Sequence, residues 1–369
     1  MKIVFINSVC GIRSTGRICA DLAKSYEEKG DECKIAYGRE DTISEECKKY
    51  AVRIGSSLGV KIHAICSRLF DNHGLNSSYA TKKFLKWLEG YKPDILWLHN
   101  LHGYYINYKH LFRWIKKHPE LEVKWTLHDC WAFTGHCAYF SEFGCYKWKK
   151  ACDKCAQKHR YPTSVWLDNS KKNFEIKKAA FTGVKNMTIY TPSQWLRDLV
   201  KKSFLGEYLV EVLYNEVDKS LFKPTQSEFR KKYNLIDKKI ILGVASTWDE
   251  RKGLKVFCSL AKMFDNDYRV VLVGLTEEQI AKLPPNMIGI ARTNSIKELA
   301  EIYTAADVFV NPSKEETFGL TTVEALYCGT KAIVYKDTAC EEIAEKYGGI
   351  VVEQSTEAIF EAIKALLNK

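Results

Sequence analysis

The sequence predicts an α/β fold in two domains, each a parallel sheet with helices on both faces, the two sheets facing a central cleft. Three observations carry this. Short apolar runs alternate with amphipathic stretches from residue 2 to residue 191. The same alternation restarts at residue 239. A chain of 369 residues, 46% of them hydrophobic, can bury two cores.

The elements follow in order. Residues 2–7 read as a first buried strand. A loop at 8–15 holds Gly11, and a helix follows at 16–29. Further strands are read at 33–37, 94–99, 123–128 and 187–191, the third and fourth of these five ending in histidine. Strands that alternate with helical stretches close into a parallel sheet. The second series begins with a near-continuous apolar strand at 239–245 and a helix at 253–264. It continues with strands at 268–273, 287–291, 307–311 and 331–335, and helices at 296–304 and 318–327. The turn-like Asn215-Glu216-Val217-Asp218 lies in a boundary region at 208–224. Residues 1–207 are therefore read as the first domain, with a cysteine-rich insertion at 130–160, and 208–354 as the second. Residues 355–369 place Ile359, Ile363, Leu366 and Leu367 on one helical face, expected to pack back on the first domain.

The opening apolar run is too short for the core of an export signal, and no stretch approaches the length of a membrane span. The expectation is a soluble chain of the cytoplasm, peripheral at most at the inner face of the plasma membrane. The net charge is +11, and between Glu142 and Lys185 there are 11 Lys/Arg against 4 Asp/Glu. Such a patch suits phosphorylated ligands, anionic lipid or nucleic acid, or is simply a solvated face. An odd count of 13 cysteines argues against a disulfide framework. Cys10, Cys33, Cys66, Cys258 and Cys328 are isolated and read as small buried hydrophobes.

Open parallel sheets bind ligands at the carboxyl ends of their strands, which singles out Asn7, His99, His128, Ser246 and Asn311. Beyond Asn311, an acidic loop with Glu315 and Glu316 leads through Phe318, Gly319 and Leu320 into a helix that carries Glu324. A helix N-terminus offers unpaired N–H groups and a positive dipole end. Two carboxylates flanking it suit a phosphorylated sugar compound, one gripping sugar hydroxyls and the other a ribose diol. The macrodipole also favours an acidic helix start for its own sake. Beyond Ser246, Arg251 and Lys252 precede Gly253 at a second helix start, where a diphosphate can be held. A fixed cation and helix-end amides there stabilise a leaving diphosphate without a metal.

Taken together, these segments resemble glycosyltransferase family 4, retaining enzymes of GT-B fold. Glu316 and Glu324 match its E-x7-E motif in the context Glu316-Thr317-Phe318-Gly319, and Lys252-Gly253 its phosphate-binding lysine. Asn215-x-Val217-Asp218 with Phe222 and Pro224 is similar to its linker signature. Ala325-Leu326-x-Cys328-Gly329-Thr330 is similar to its helix exit, and Thr191-Pro192-Ser193 to the end of its last N-domain strand. The resemblance covers nearly the whole chain. One departure is Ser246, where many members carry an arginine six residues before the lysine. Arg251 is the substitute at hand. Glu315 and Glu316 both stand as first-carboxylate candidates.

The resemblance implies transfer of a hexose from a nucleoside diphosphate sugar to a hydroxyl with retained configuration. UDP is the first choice of nucleotide and GDP the next, and no cofactor is required for catalysis. It places Glu324 on the ribose, Glu316 near the reacting carbon, and Lys252 on the diphosphate with the amides of Phe318, Gly319 and Leu320. It places the Gly11–Gly16 loop over the phosphates, and His128, in Leu127-His128-Asp129, on the donor sugar. Bacterial members commonly extend lipid-linked oligosaccharides for capsule, exopolysaccharide or O-antigen, so the implied acceptor is a saccharide or lipid-linked oligosaccharide, and the basic patch fits an anionic membrane.

His99, His102, Tyr104 and Tyr105 end an N-domain strand, and their polar and aromatic groups suit a sugar acceptor. Cys137, Cys145, Cys152 and Cys155 give C-x7-C-x6-C-x2-C, whose last pair suits thiolate ligation of a structural zinc, with Cys130, His136 and His159 in reserve. Similar insertions occur in a subset of the family. With Tyr146 and Trp148 among its lysines, this loop is expected beside the acceptor and the membrane surface. A sugar-nucleotide epimerase or phosphorylase of the same fold, and a zinc-containing nucleic-acid binder, are the competing readings. The second leaves the carboxylates unexplained, so no nucleic-acid partner is expected. A nicotinamide enzyme is excluded because the first loop lacks the G-x-G-x-x-G spacing.

Overall fold

The computed structural model describes residues 1–39 and 42–368, and the chain divides into two compact units at Leu213 and Tyr214. The division falls six residues later than the sequence suggests, because residues 209–212 pair in parallel with the preceding strand and close the first sheet.

The N-terminal unit runs β1 (Lys2–Ile6), α1 (Arg13–Glu27), β2 (Glu32–Tyr37), β3 (Ala51–Arg53), α2 (Ser57–Phe70), α3 (Ser78–Tyr91), β4 (Ile95–Leu98), α4 (Tyr108–Ile115), β5 (Glu122–Thr126), α5 (Ser170–Phe181), β6 (Met187–Thr191), α6 (Gln194–Lys201) and β7 (Leu209–Val212). Its sheet has seven strands in the order β3-β2-β1-β4-β5-β6-β7, all parallel. The order reverses between β1 and β4, and the loops after β1, β4 and β5 carry the N-terminal candidate residues. Strands β1 and β4 are buried on both faces, which is why they read as unbroken apolar runs.

The C-terminal unit runs α7 (Phe229–Lys232), β8 (Lys239–Val244), α8 (Leu254–Met263), β9 (Tyr268–Val273), α9 (Glu277–Ala281), β10 (Met287–Ile290), α10 (Ile296–Ala305), β11 (Val308–Asn311), α11 (Leu320–Tyr327), β12 (Lys331–Tyr335), α12 (Ala339–Tyr347), β13 (Ile350–Val352) and α13 (Thr356–Leu367). Its sheet has six parallel strands in the order β10-β9-β8-β11-β12-β13. The switch point lies between β8 and β11, the two strands whose following loops carry the cation and the carboxylates.

The closing helix does not behave as expected. The apolar face of α13 is covered by its own unit: Ile359 and Ile363 are fully buried in the cluster of Phe257 and Leu260 on α8, and Phe360 packs on Phe264 at 4.6 Å. At its end Asn368 takes hydrogen bonds from Lys239 and Tyr268. The apolar stripe that called for a docking surface finds one on α8.

The cysteine-rich segment between β5 and α5 has its own aromatic core. Phe133, Phe140 and Trp148 pack at 4.8–6.2 Å, so Trp148 is buried and only Tyr146 of the expected interfacial pair is exposed. Lys177 on α5 anchors the segment. Its buried ammonium donates to Trp131 O (2.6 Å) and Thr134 O (3.0 Å) and lies 3.6 Å from the Trp131 ring centre. Among the described residues no helix is long and apolar enough to cross a membrane.

Candidate functional site

In the C-terminal unit the loops after β8 and β11 meet. Gly253, with φ +78°, opens α8, and a side chain there would stand 2.7 Å from Pro312, so the backbone of this helix start lies against the β11 loop. The Lys314 N–H donates to Arg251 O (3.2 Å), and the Arg251 guanidinium donates to Glu315 O (2.8 Å). Arg251 is therefore engaged in bracing the carboxylate loop. Asn311 shapes the turn from inside: its Oδ1 accepts from Ser313 N–H and Oγ, while its Nδ2 donates to Thr322 on α11.

On this frame Lys252 and Glu316 form an ion pair. Burial alone would raise the Glu316 carboxyl, but Lys252 and Arg251 beside it hold it below the usual carboxylate range. The geometry distinguishes the two adjacent acids: Glu316 meets the lysine, whereas Glu315 is buried and supplies the carbonyl that Arg251 holds. Gly319 opens α11 with φ +88°, and a Cβ there would come within 2.7 Å of Cys340 Sγ. Phe318 is a core residue, its ring buried with Val323 and Ile343. Glu324, in the second turn of α11, accepts from Tyr303 Oη at 2.8 Å. Tyr303, on α10, carries no sequence signal; nothing in its neighbourhood marks it as more than a core aromatic.

In the N-terminal unit Gly11 has φ +68°, its N–H donates to Gly16 O (3.2 Å), and a Cβ on it would collide with Ser44 and Cys47. Gly16 lies within the first turn of α1, where Val9 leaves no more than contact space for a side chain. This glycine loop is thus tightly folded behind β1.

The loops after β4 and β5 bring four of the predicted residues into one cluster. His99 and His128 stack at 5.3 Å and share a hydrogen bond of 3.0 Å between Nδ1 and Nε2. Burial pushes His128 down to about 4 and His99 well below its usual range, so both rings are neutral at pH 7. His102 Nε2 faces Asp129 Oδ2 at 2.8 Å, and its Nδ1 faces Tyr161 Oη at 2.9 Å. Burial would raise Asp129, but His102 and the Trp131 N–H hold it low, so it is a carboxylate that takes the Nε2 proton as a hydrogen bond. Tyr104 packs on His73 at 4.6 Å and near His63 at 5.9 Å. The cavity lined by His99, His102, His128, Asp129, Trp125 and Trp131 measures about 10 Å³, room for one water and not for a sugar ring.

Two acceptor candidates are corrected by this geometry. Tyr105 belongs to the core: it is fully enclosed and its hydroxyl donates to Asn100 O at 2.7 Å. His99 is likewise interior, with Nε2 buried and unpartnered, and it orients His128 rather than facing outward. Asp129, Tyr161, His63 and His73 are additions. Asp129 follows His128 directly and could have been found there; the others come from segments distant in sequence.

Among the described residues no group of three or more His, Cys, Asp or Glu side chains is placed to hold a metal ion. The sulfurs and the reserve histidine make other contacts. Cys152 accepts the Gly135 N–H (3.2 Å), and His136 Nδ1 turns to Asp71 at 2.6 Å. The hydrogen bond from Cys137 and the nearby His136 lower Cys155 to about 7 against the opposing effect of burial. All thirteen cysteines are free thiols.

Residues 225–369 match the family described as Glycosyl transferases group 1. The match lies within the C-terminal unit. WcaC of Escherichia coli (strain K12), named as a colanic acid biosynthesis glycosyl transferase, is 24% identical over 277 residues, which are 71% of this chain and 64% of WcaC. The chain therefore spans under two thirds of the length of this curated relative. Among solved structures, sucrose-phosphate synthase of Thermosynechococcus elongatus superposes with a TM-score of 0.68 at 15% identity, over 100% of this chain and 90% of that one. HepE of Anabaena, solved with UDP and glucose, gives 0.66 at 14% identity with the same coverage. At such identities the likeness shows the fold: GT-B, two Rossmann-like domains with parallel sheets.

Proposed function

We propose that the chain is a retaining glycosyltransferase that moves a hexose from a nucleoside diphosphate sugar, UDP-sugar first, to a hydroxyl of a lipid-linked saccharide in cell-surface polysaccharide synthesis. The observation that carries this reading is the Lys252–Glu316 pair between the N-termini of α8 and α11, with Glu324 in the second turn of α11. An ammonium and two helix ends answer a diphosphate, and the Glu324 carboxylate answers a ribose diol. HepE, a structural neighbour, binds UDP and glucose, which favours the uridine nucleotide.

In the reaction the bond between the anomeric carbon and the diphosphate oxygen breaks, and a bond to the acceptor oxygen forms on the same face. The acceptor proton passes to the departing phosphate oxygen. Lys252 stabilises the charge that develops on the diphosphate. Without donor its partner is Glu316; donor phosphate competes for the ammonium and leaves Glu316 to sugar hydroxyls. No side chain is assigned as a nucleophile. Neutral His128 offers a hydrogen bond to a sugar hydroxyl, and His102 with Tyr104 addresses the acceptor.

Thermal stabilisation by UDP-, GDP- and ADP-sugars tests the donor site. One nucleotide series is expected to raise the melting temperature, and the shift to vanish in Glu324→Ala and Lys252→Ala. Lys252→Ala is expected to lower kcat by about 10²–10³-fold. Folded protein that no sugar nucleotide stabilises would overturn the reading. Donor turnover without any acceptor would point instead to an epimerase.

A further inference from the structure

Helix α2 is built inside out. Its buried side carries the polar His63 and Ser67, whereas Leu58, Ile62 and Ile65, spaced four and three residues apart, face outward at 67%, 53% and 57% exposure. Phe70 ends the helix half-exposed. A soluble helix ordinarily buries its apolar stripe.

A second apolar element adjoins this face. Val165, Trp166 and Leu167 are exposed, Trp166 by 72%. They are tied to the end of α2, since the Val165 N–H donates to Arg68 O (2.7 Å) and Asn169 donates to Phe70 O (2.7 Å). The patch is therefore continuous, and wider than scattered surface leucines explain.

Its charge is one-sided. Lys61 and Arg68 lie on α2, which has no acidic residue. Lys158 donates to Trp166 O (3.2 Å), and Lys171 follows at the start of α5. The neighbouring acid, Asp168, is committed to the Cys155 and Ser170 N–H groups. Apolar side chains with an exposed tryptophan, ringed by cations, are the chemistry of the interface of an anionic bilayer.

We propose that the outer face of α2 and the Val165–Leu167 loop form a membrane-docking surface for anionic lipid. The same helix turns His63 toward Tyr104 and His73, so docking would bring the candidate acceptor residues close to the bilayer surface. This deepens the proposed function by giving a lipid-linked acceptor its place, and rests on that reading for the acceptor alone. The Tyr146–Trp148 loop expected from sequence is not the membrane contact, because Trp148 is buried.

The test is co-sedimentation of the full chain with vesicles of phosphatidylglycerol and phosphatidylcholine, compared with phosphatidylcholine alone. Binding is expected to the anionic vesicles, to weaken with salt, and to fall at least tenfold in the triple variant Ile62→Gln, Ile65→Gln, Trp166→Ala. Donor-induced stabilisation, read in the same samples, is expected to stay unchanged in that variant, which shows it folded and separates this proposal from the donor-site reading. Wild-type protein that ignores anionic vesicles, or a triple variant that binds them as well as wild type, overturns the proposal. So does a dimer that dissociates in the triple variant without vesicle binding, which would make the patch a contact between copies.

Discussion

The two candidate regions solve different physical problems. The C-terminal one is charged: a lysine, two carboxylates and two helix ends, with residues taken from two loops of one sheet. The N-terminal one is a pack of rings, with His63, His73, His99, His102, Tyr104, His128 and Tyr161 drawn together from five stretches of chain. All 9 histidines of the chain precede residue 160, and the C-terminal unit has none. The contrast teaches that a site for an anion can be written locally, at strand ends and helix starts. A cluster of buried rings has to be assembled by the fold, whose burial holds His63, His73, His99 and His128 below the usual imidazole range.

The largest way to break this contrast is acid. His63 and His128 are pushed down to about 4, and His73 and His99 lie well below the usual range, all by burial. These groups bind fewer protons folded than unfolded. Their contribution to stability is intact above the unfolded histidine range and falls as pH drops from about 6.5 toward 4. His63, almost fully buried, accounts for on the order of 2 kcal/mol at pH 5. His136, raised by Asp71 against its own burial, works the other way and offsets part of this. Calorimetry between pH 7 and pH 5 is expected to lower the melting temperature of the N-terminal unit while the C-terminal transition lacks this histidine-linked loss. Equal shifts in both units would mean that the neutral histidine cluster does not govern acid stability.

A smaller effect sharpens the comparison inside the N-terminal unit. Asp129 fixes the tautomer of His102 and is itself held ionised. Asp129→Asn is expected to cut kcat/KM for the acceptor by about 10–100-fold through misplacement of His102, with the donor-induced thermal shift unchanged. An equal loss of donor binding would argue for a general folding defect.

How much was legible follows the same division. The strands were readable because parallel, doubly buried strands such as β1 and β4 are short unbroken apolar runs. Lys252, Glu316 and Glu324 could be singled out as candidates because each lies close beyond a strand end or a helix start, a position visible in one dimension. The choice between Glu315 and Glu316 was not, because it depends on which side chain the fold turns toward Lys252. Helix α2 was missed since its outward face is apolar, and the periodicity that marks a soluble helix gives no clear inside. The four-thiol zinc reading rests on spacing, which is necessary for ligation but does not decide where the sulfurs and His136 point.

The smallest effect tests whether the charged site is as local as it reads. Tyr303 lies 21 residues before Glu324 and touches it only through the fold, by a hydrogen bond of 2.8 Å. Its ring is buried against Phe222 and Phe309, so Tyr303→Phe preserves the packing and removes one donor from one carboxylate. A hydrogen bond to a charged group contributes about 1.5–3 kcal/mol, part of which the freed carboxylate recovers from the ribose hydroxyls it would bind. The donor Kd is therefore expected to rise by about 3–10-fold by calorimetric titration, with kcat little changed at saturation. An unchanged Kd would mean that Glu324 holds its rotamer through α11 alone and that the carboxylate site is local after all. A rise as large as that of Glu324→Ala would mean that the tyrosine, silent in the sequence, is as much a part of the ribose grip as the acid it supports.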